Sequence, residues 1–369
     1  MQEADRGRAG SEGAGPPRRA YLDWLRGVAV VIMIGAHLFD SWTAASDRAT
    51  PGFRWAMLVG GMGAPLFLLL AGVAVPLSAS SKLRRSADAN VAAREVARRG
   101  LQLFGLAFLF RLQAWALGWS SPRALLKVDI LNIMGPSIVA AAALWRSVGT
   151  VSARAAVFAA AAIVTAVATP FVRVAPIAAI PDPIEAYLRP VPGLTHFAFF
   201  PWMGFLFAGG VLGVLIDASP DRGREANVNI WFGSGGLALA AVALAASYLP
   251  PIHPASDFWT TSSTFFLIRA GLMAALVGAA YAWDARPWKG QSWSPLRQLG
   301  RTSFFIYWIH VEMIYGLISL PLHGALSLPA AALAFALFTT FMLGCSLAKD
   351  RAVAWWSARQ RHFGAAVSR

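Results

Sequence analysis

The sequence contains little cysteine and little charge. Cys345 is the single cysteine among 369 residues, which excludes a disulfide framework and a cysteine-rich metal site. Charged residues make up 14% of the chain and hydrophobic residues 57%, with a mean hydropathy of +0.55. This composition excludes an ordinary soluble globular domain and indicates a protein whose solvent is the lipid bilayer. We interpret Cys345 as a small apolar filler rather than a nucleophile.

Several signatures of known chemistry are also missing. The sequence has no phosphate loop, no dinucleotide fingerprint and no zinc-binding helix motif, so no metal cofactor is predicted. Acidic residues number 18 against 32 Lys and Arg, for a net charge of +14. In a soluble protein such an excess would suggest nucleic-acid binding, but here the basic residues follow a membrane topology. We therefore expect the bilayer, and no nucleic acid, as a partner.

Apolar runs long enough to cross a bilayer recur along the chain. They predict an all-α fold, a polytopic transmembrane helical bundle of about 10 helices. Clusters of small residues, such as Gly60, Gly61 and Gly63, would let neighbouring helices pack closely. The predicted spans lie at 20–39, 55–79, 97–119, 127–146, 151–171, 194–216, 230–249, 264–283, 298–320 and 328–348.

The positions of Lys and Arg fix the expected orientation, because cytoplasmic loops carry the excess of positive charge. With the N-terminus inside, basic residues concentrate after the second, fourth, sixth, eighth and tenth spans. We predict a disordered cytoplasmic tail at 1–19, a transmembrane domain at 20–348 and a basic cytoplasmic tail at 349–369, in a bacterial inner membrane. The predicted outer loops carry few basic residues, namely Arg48, Arg54, Arg123, Lys127, Arg173 and Arg189.

A competing interpretation makes the first apolar segment a signal peptide, since Arg18 and Arg19 precede it. Asp23, Arg26 and His37 interrupt its apolar core, and its removal would break the alternation of charge. We therefore expect this segment to remain as the first helix.

The first helix carries the densest set of ionisable residues, which are costly at membrane depth. Arg26 and His37 are eleven residues apart, so they share a helix face and lie roughly 16 Å apart along the axis. His37 is a candidate general base near neutral pH, and Asp40 is placed to hold its imidazole in one tautomer. The alternatives are a packing role for His37, a solvent-facing Asp40, and a local salt bridge between Asp23 and Arg26.

Further polar residues are predicted at a similar depth on other helices. Their number indicates a wet cavity, which is the candidate active site. Arg111 and Asp129 are interpreted as a structural ion pair between adjacent helices. His310 is a candidate for positioning substrate, for polarising a carbonyl, or for bracing its own helix. The full set comprises Arg111, Asp129, Asn132, His196, Arg269, Tyr307, His310 and Glu312.

Three segments resemble transmembrane acyltransferases. The segment from Arg19 to His37, with Arg26 and His37 separated by ten residues, resembles the first helix of both the heparan-alpha-glucosaminide N-acetyltransferase catalytic-domain family and the acyltransferase 3 family. Gly61 to Gly72 resembles their second helix, and Leu299 to His310 resembles a late helix that ends in Tyr-x-x-His. One departure is that eukaryotic N-acetyltransferases have Asn where this chain has His37, with a histidine in the following outer loop, and this loop has none.

The resemblance implies transfer of an acyl group, with acetyl expected, from cytoplasmic acyl-CoA to a glycan or other envelope acceptor at the outer side of the membrane. His37, Asp40 and His310 are then the candidate catalytic residues. Arg26 would bind the CoA phosphates, and Arg111 and Arg269 are the further donor-side candidates. Either of these arginines, or His310, would stabilise the oxyanion of the tetrahedral intermediate. The acyl group would pass to the acceptor directly or through an acyl-enzyme. A homo-oligomer is compatible with this interpretation.

Two other classes of protein compete with the enzyme. In a transporter or flippase for an anionic or sugar-bearing solute, the arginines and histidines would line a translocation path. No paired repeat supports this alternative. A structural or sensory membrane subunit would need no cavity around His37 and His310.

Overall fold

A computed structural model describes residues 19–118, 121–176, 180–286 and 293–367. Within these ranges the regular structure is helical, with thirteen α-helices and no β-strand. The predicted tail at 1–19 lies outside the described residues except for Arg19. The helices are α1 Ala20–Trp42, α2 Pro51–Gly60, α3 Gly63–Ser86, α4 Ala89–Gly118, α5 Ile130–Ser147, α6 Val151–Val174, α7 Asp182–Leu188, α8 Phe199–Asp217, α9 Arg222–Ala246, α10 Ser263–Asp284, α11 Pro295–Arg301, α12 Ser303–Tyr315 and α13 Leu328–Val367.

The prediction of an integral membrane helical bundle is confirmed. In the described ranges nine helical segments are long and apolar enough to cross a bilayer, with α2 and α3 counted as one segment from Pro51 to Ser86. The ninth predicted span, 298–320, is divided between α11, α12 and a short 3₁₀ helix. Thr302 interrupts it, where its hydroxyl contacts the Gln298 carbonyl at 3.1 Å and the Ser346 hydroxyl at 2.6 Å.

Several helices extend beyond their apolar runs. Helix α9 begins at Arg222, eight residues before the predicted span, because the Asp221 side chain accepts a hydrogen bond from the Arg224 backbone N–H at 2.8 Å and caps the helix there. Helix α13 continues without a break through the predicted boundary at 348. Helical hydrogen bonding satisfies the backbone in water as well as in lipid, so hydropathy alone does not locate these ends.

Helix α1 lies at the centre of the fold. Its first half, including Leu25 and Ala29, is buried against α3, α8 and α10. Its second half, including Ile34 and Leu38, is buried against α11, α12 and α13. A segment packed on both sides in this way is part of the bundle core.

The contact between α1 and α11 depends on two glycines from the segments that resemble acyltransferases. A methyl group on Gly27 would overlap the Leu296 carbonyl oxygen, and one on Gly300 would overlap the Asp23 carbonyl oxygen. The two backbones therefore touch, as they do where small residues line a helix interface in a membrane. This contact places the start of α12 against α1.

We expect Gly27→Ala to lower the free energy of unfolding by about 1–3 kcal/mol, because the added methyl has to displace backbone rather than a flexible side chain. Thermal unfolding of the purified protein measures the effect. Gly235→Ala is the matched control, since a methyl group there meets no atom within 4 Å. Equal melting temperatures for both variants would contradict this explanation.

Candidate active site

A cavity of about 1430 Å³ runs through the bundle beside α1. Its lining extends from Arg26 and Arg99 at one end to His37 and Asp40 at the other, and includes residues of α3, α4, α5 and α12. The volume exceeds the roughly 300–1,000 Å³ of typical small-molecule pockets, which leaves room for two substrates. Of the six predicted site residues, four line this cavity: Arg26, His37, Asp40 and Arg111.

The imidazoles of His37 and His310 are in direct contact. His37 Nδ1 lies 2.9 Å from His310 Nε2, and the two rings are nearly parallel with centroids 5.1 Å apart. His310 is fully buried, and its Nδ1 lies 2.7 Å from the Ile306 carbonyl oxygen. The structure thus places His310 behind His37 rather than on the cavity lining.

This chain of contacts assigns the tautomers of both histidines. A carbonyl oxygen only accepts, so neutral His310 carries its proton on Nδ1 and donates it to Ile306. His310 Nε2 is then an acceptor, and His37 Nδ1 donates to it. The remaining nitrogen of neutral His37, Nε2, is left without a proton and can act as a base.

Asp40 has a different partner from the predicted one. Its Oδ2 accepts a hydrogen bond from the Tyr315 hydroxyl at 3.0 Å, and the Tyr315 ring packs edge-on to His37 with centroids 5.5 Å apart. Asp40 was expected to hold the His37 imidazole in one tautomer, whereas the hydrogen bond at His37 Nδ1 is made by His310. Asp40 and Tyr315 both line the cavity, so they border the space next to His37.

At the opposite end, Arg26 forms the local ion pair considered as its alternative role. Its Nη1 lies 3.1 Å from Asp23 Oδ1, and Asp23 is buried. Arg26 also lines the cavity, together with Arg99 and Ser78. A guanidinium carries five N–H donors, so an arginine with a carboxylate partner can also contact a phosphate.

The predicted ion pair between Arg111 and Asp129 is confirmed, with Nη2 and Oδ2 2.6 Å apart. Asp129 also caps α5, since its side chain accepts from the Leu131 backbone N–H at 3.1 Å. His196 lines the cavity nearby, outside the spanning helices. Burial, followed by the charges of Arg111 and Lys127, lowers the pKa of its imidazole, so His196 is neutral at pH 7.

Arg269 does not line this cavity but is buried behind two residues that do, Gly61 and Trp202. Its Nη2 donates to the Gly61 carbonyl oxygen, at the break between α2 and α3, and its guanidinium packs against the rings of Trp202, Phe205 and Phe265. A break in a helix leaves carbonyls without helical partners, and an arginine satisfies one of them here. This placement favours a role in holding the α2–α3 break over donor binding.

Arg269→Lys is therefore expected to lower the melting temperature, because a compact ammonium loses the planar contact with the three rings. We expect the KM for acetyl-CoA to stay within roughly twofold of wild type, since the lost contacts are structural. Steady-state kinetics at a temperature where both proteins are folded separates the two roles. A large rise in the KM for acetyl-CoA would contradict this and indicate that Arg269 binds the donor.

A comparison with known families identifies the family of this chain. Residues 18–243 match the family described as heparan-alpha-glucosaminide N-acetyltransferase, catalytic. The chain belongs to this family. The match covers well over half of the sequence and includes Arg26, His37, Asp40 and Arg111. No curated protein matches the chain.

Membership of this family means that the protein is an acetyltransferase of a membrane-embedded family whose donor is acetyl-CoA. Family membership decides against both alternatives, the transporter or flippase and the structural or sensory membrane subunit. His310 lies beyond the matched residues, yet its imidazole is the hydrogen-bond partner of His37. The Tyr307-x-x-His310 spacing was the sequence signal for this residue, whereas nothing in the sequence indicated that it bonds to His37.

Proposed function

We propose that this acetyltransferase moves an acetyl group across the bilayer, from acetyl-CoA at the Arg26 end of the cavity to a glycan or other envelope acceptor at the His37 end. The observation that carries the proposal is one cavity lined by both residues. The charge alternation along the chain supports a cytoplasmic position for the Arg26 end of the cavity. It also supports both termini on the cytoplasmic side of a bacterial inner membrane.

The donor end suits a nucleotide with several phosphates. Arg26 and Arg99 line the cavity there, on α1 and α4 respectively. Arg26 and His37 are eleven positions apart on one continuous helix, a rise of roughly 16 Å, which an extended pantetheine arm can follow. The thioester would then reach His37 while the phosphates stay at the basic end.

The chemistry assigned to His37 is general base catalysis. Its Nε2 takes the proton from the acceptor hydroxyl or amine as that group attacks the thioester carbonyl carbon. The C–S bond then breaks, and the imidazolium returns the proton to the CoA thiolate. The products are the acetylated acceptor and free CoA, with atoms and charge balanced. The same free Nε2 would also accept an acetyl group in an acyl-enzyme route.

The oxyanion of the tetrahedral intermediate needs a hydrogen-bond donor. Of the three predicted candidates, neutral His310 uses its only N–H on Ile306, and Arg269 does not line the cavity. Arg111 lines it and is held by Asp129. We therefore assign this role to Arg111.

Arg99→Gln tests the donor end. We expect its KM for acetyl-CoA to rise by roughly tenfold, as for loss of a charge-assisted contact to phosphate. The KM for acetyl-pantetheine, which lacks the nucleotide phosphates, should not change. Arg224→Gln, on α9 and outside the cavity lining, is the matched control. An equal loss with both donors would contradict phosphate binding at this end.

A further inference from the structure

One side of the cavity is bordered by α4 and α12, whose backbones do not pack closely along the part of the chain that the structure describes. Residues that line the cavity recur at helical spacing on both helices, so one face of α4 and one face of α12 border the cavity from opposite sides. These residues are Leu103, Phe110, Ala114 and Leu117 on α4 and Phe304, Tyr307, Val311 and Tyr315 on α12.

Side chains bridge the gap between these helices. Trp308 Nε1 donates to Gln113 Oε1 at 2.8 Å, and the Phe110 ring lies edge-on to Trp308 with centroids 5.2 Å apart. Rotation of these side chains would open a path between the two helices while the backbones stay in place, and rotamer changes of exposed side chains take picoseconds to nanoseconds.

The rim of this gap is apolar and faces outward. Leu117 is 58% exposed, Leu317 56% and Ile318 77%, and all three line the cavity. In a chain whose helices span a bilayer, exposed apolar side chains of this kind meet lipid tails rather than water. The cavity and the surrounding lipid therefore share a border at the His37 end.

Polar groups line the cavity behind this apolar rim. Glu312 lies next to Val311 on α12, and one of its carboxylate oxygens is buried without a hydrogen-bond partner among the described residues. Asp40 and Lys127 also line this end. A ligand with a hydrogen-bonding head group and a hydrocarbon chain would match the polar interior and the apolar rim together.

We infer that the acceptor is a lipid-borne molecule, with a hydroxyl- or amino-bearing head group on a hydrocarbon chain, that enters from the bilayer between α4 and α12. This inference rests on the proposed function and narrows its acceptor to amphiphiles. The head-group oxygen or nitrogen attacks the thioester carbonyl, the C–S bond breaks and the proton passes to the CoA thiolate. The hydrocarbon chain stays between the two helices.

The test uses the full-length protein in phosphatidylcholine nanodiscs with acetyl-CoA and two acceptors, methyl and dodecyl β-glucosaminide. Both acceptors offer the same hydroxyl and amino groups and differ in the chain alone. We expect kcat/KM to be at least about tenfold higher for the dodecyl compound, a difference of roughly 1.4 kcal/mol. Similar values for both, or a higher value for the methyl compound, would overturn the inference.

A second measurement separates entry through the gap from simple partitioning into lipid. In a Cys345→Ala background, Gln113→Cys and Trp308→Cys are joined by a reducible bis-methanethiosulfonate linker, and a monofunctional methanethiosulfonate serves as the unlinked control. We expect the linker to abolish dodecyl transfer, reductant to restore it, and acetyl-CoA hydrolysis and methyl transfer to be unchanged. Dodecyl transfer by the linked protein would overturn the inference while leaving the proposed function intact. If acetyl-CoA is neither hydrolysed nor transferred by any form, the proposed function fails together with the inference.

Discussion

Replacement of His37 by alanine is expected to lower kcat for acetyl transfer by about 10²–10⁴-fold, the usual contribution of a general base. The neutral imidazole donates from Nδ1 to His310 and offers an unprotonated Nε2, so its loss removes the proton acceptor itself. The binding of acetyl-CoA should be preserved, because we propose that its phosphates bind at the other end of the cavity. Turnover by purified protein and acetyl-CoA binding by calorimetry provide the two readouts.

His253→Ala is the matched control for this experiment. His253 lies in the loop before α10, where its ring packs edge-on to Phe171 with centroids 4.9 Å apart, and it does not line the cavity. We expect wild-type turnover from this variant. If His37→Ala folds, binds acetyl-CoA and still turns over at the wild-type rate, another group must be the base.

Replacement of His310 by alanine is expected to lower kcat by on the order of 10²-fold, comparable to the loss of groups that orient a catalytic or metal-bound histidine. Without the acceptor at His310 Nε2, His37 is free to place its proton on either nitrogen, and only one tautomer leaves Nε2 able to accept a proton. Because His310 is buried behind His37, the KM for acetyl-CoA should hardly change.

His310→Gln distinguishes positioning from packing. Its amide oxygen can accept from His37 Nδ1, so we expect it to recover part of the activity that alanine loses, although its shape differs from imidazole. A purely structural role would show equal melting-temperature losses and equal kcat losses in both variants. Nitrogen-15 chemical shifts of the His37 ring report its tautomer in each protein.

The spacing along α1 predicted much of the site. A continuous helix places residues eleven positions apart on one face, and Arg26 and His37 do line the same cavity. The salt bridges of Arg26 with Asp23 and of Arg111 with Asp129 could be expected for a different reason, since buried charges need partners.

The contact between His37 and His310 could not be predicted from spacing. It depends on how α11 crosses α1 at Gly27 and Gly300, and on the interruption at Thr302 that separates α11 from α12. Crossing angles are set by the shapes of both helices, and a pattern along one helix does not contain them. Asp40 was assigned to His37 from its position one turn away, whereas Tyr315 from another helix binds it.

Arg269 shows a second limit of sequence reasoning. A buried arginine in an apolar helix indicates a functional site or a hidden acceptor, and hydropathy does not distinguish them. Its acceptor is the carbonyl oxygen of Gly61. This oxygen is available to a side chain because a segment predicted as one span is divided at Gly61 and Met62. The break itself was not predicted, so neither was its partner.

A structure of the wild-type protein with acetonyl-CoA, a ketone analogue of acetyl-CoA that cannot transfer its acyl group, would test the central claim most directly. We predict the CoA phosphates beside Arg26 and Arg99 and the ketone roughly 5 Å from the His37 imidazole, which leaves space for one acceptor atom within hydrogen-bonding reach. CoA bound outside the cavity, or with its phosphates at the His37 end, would contradict the account.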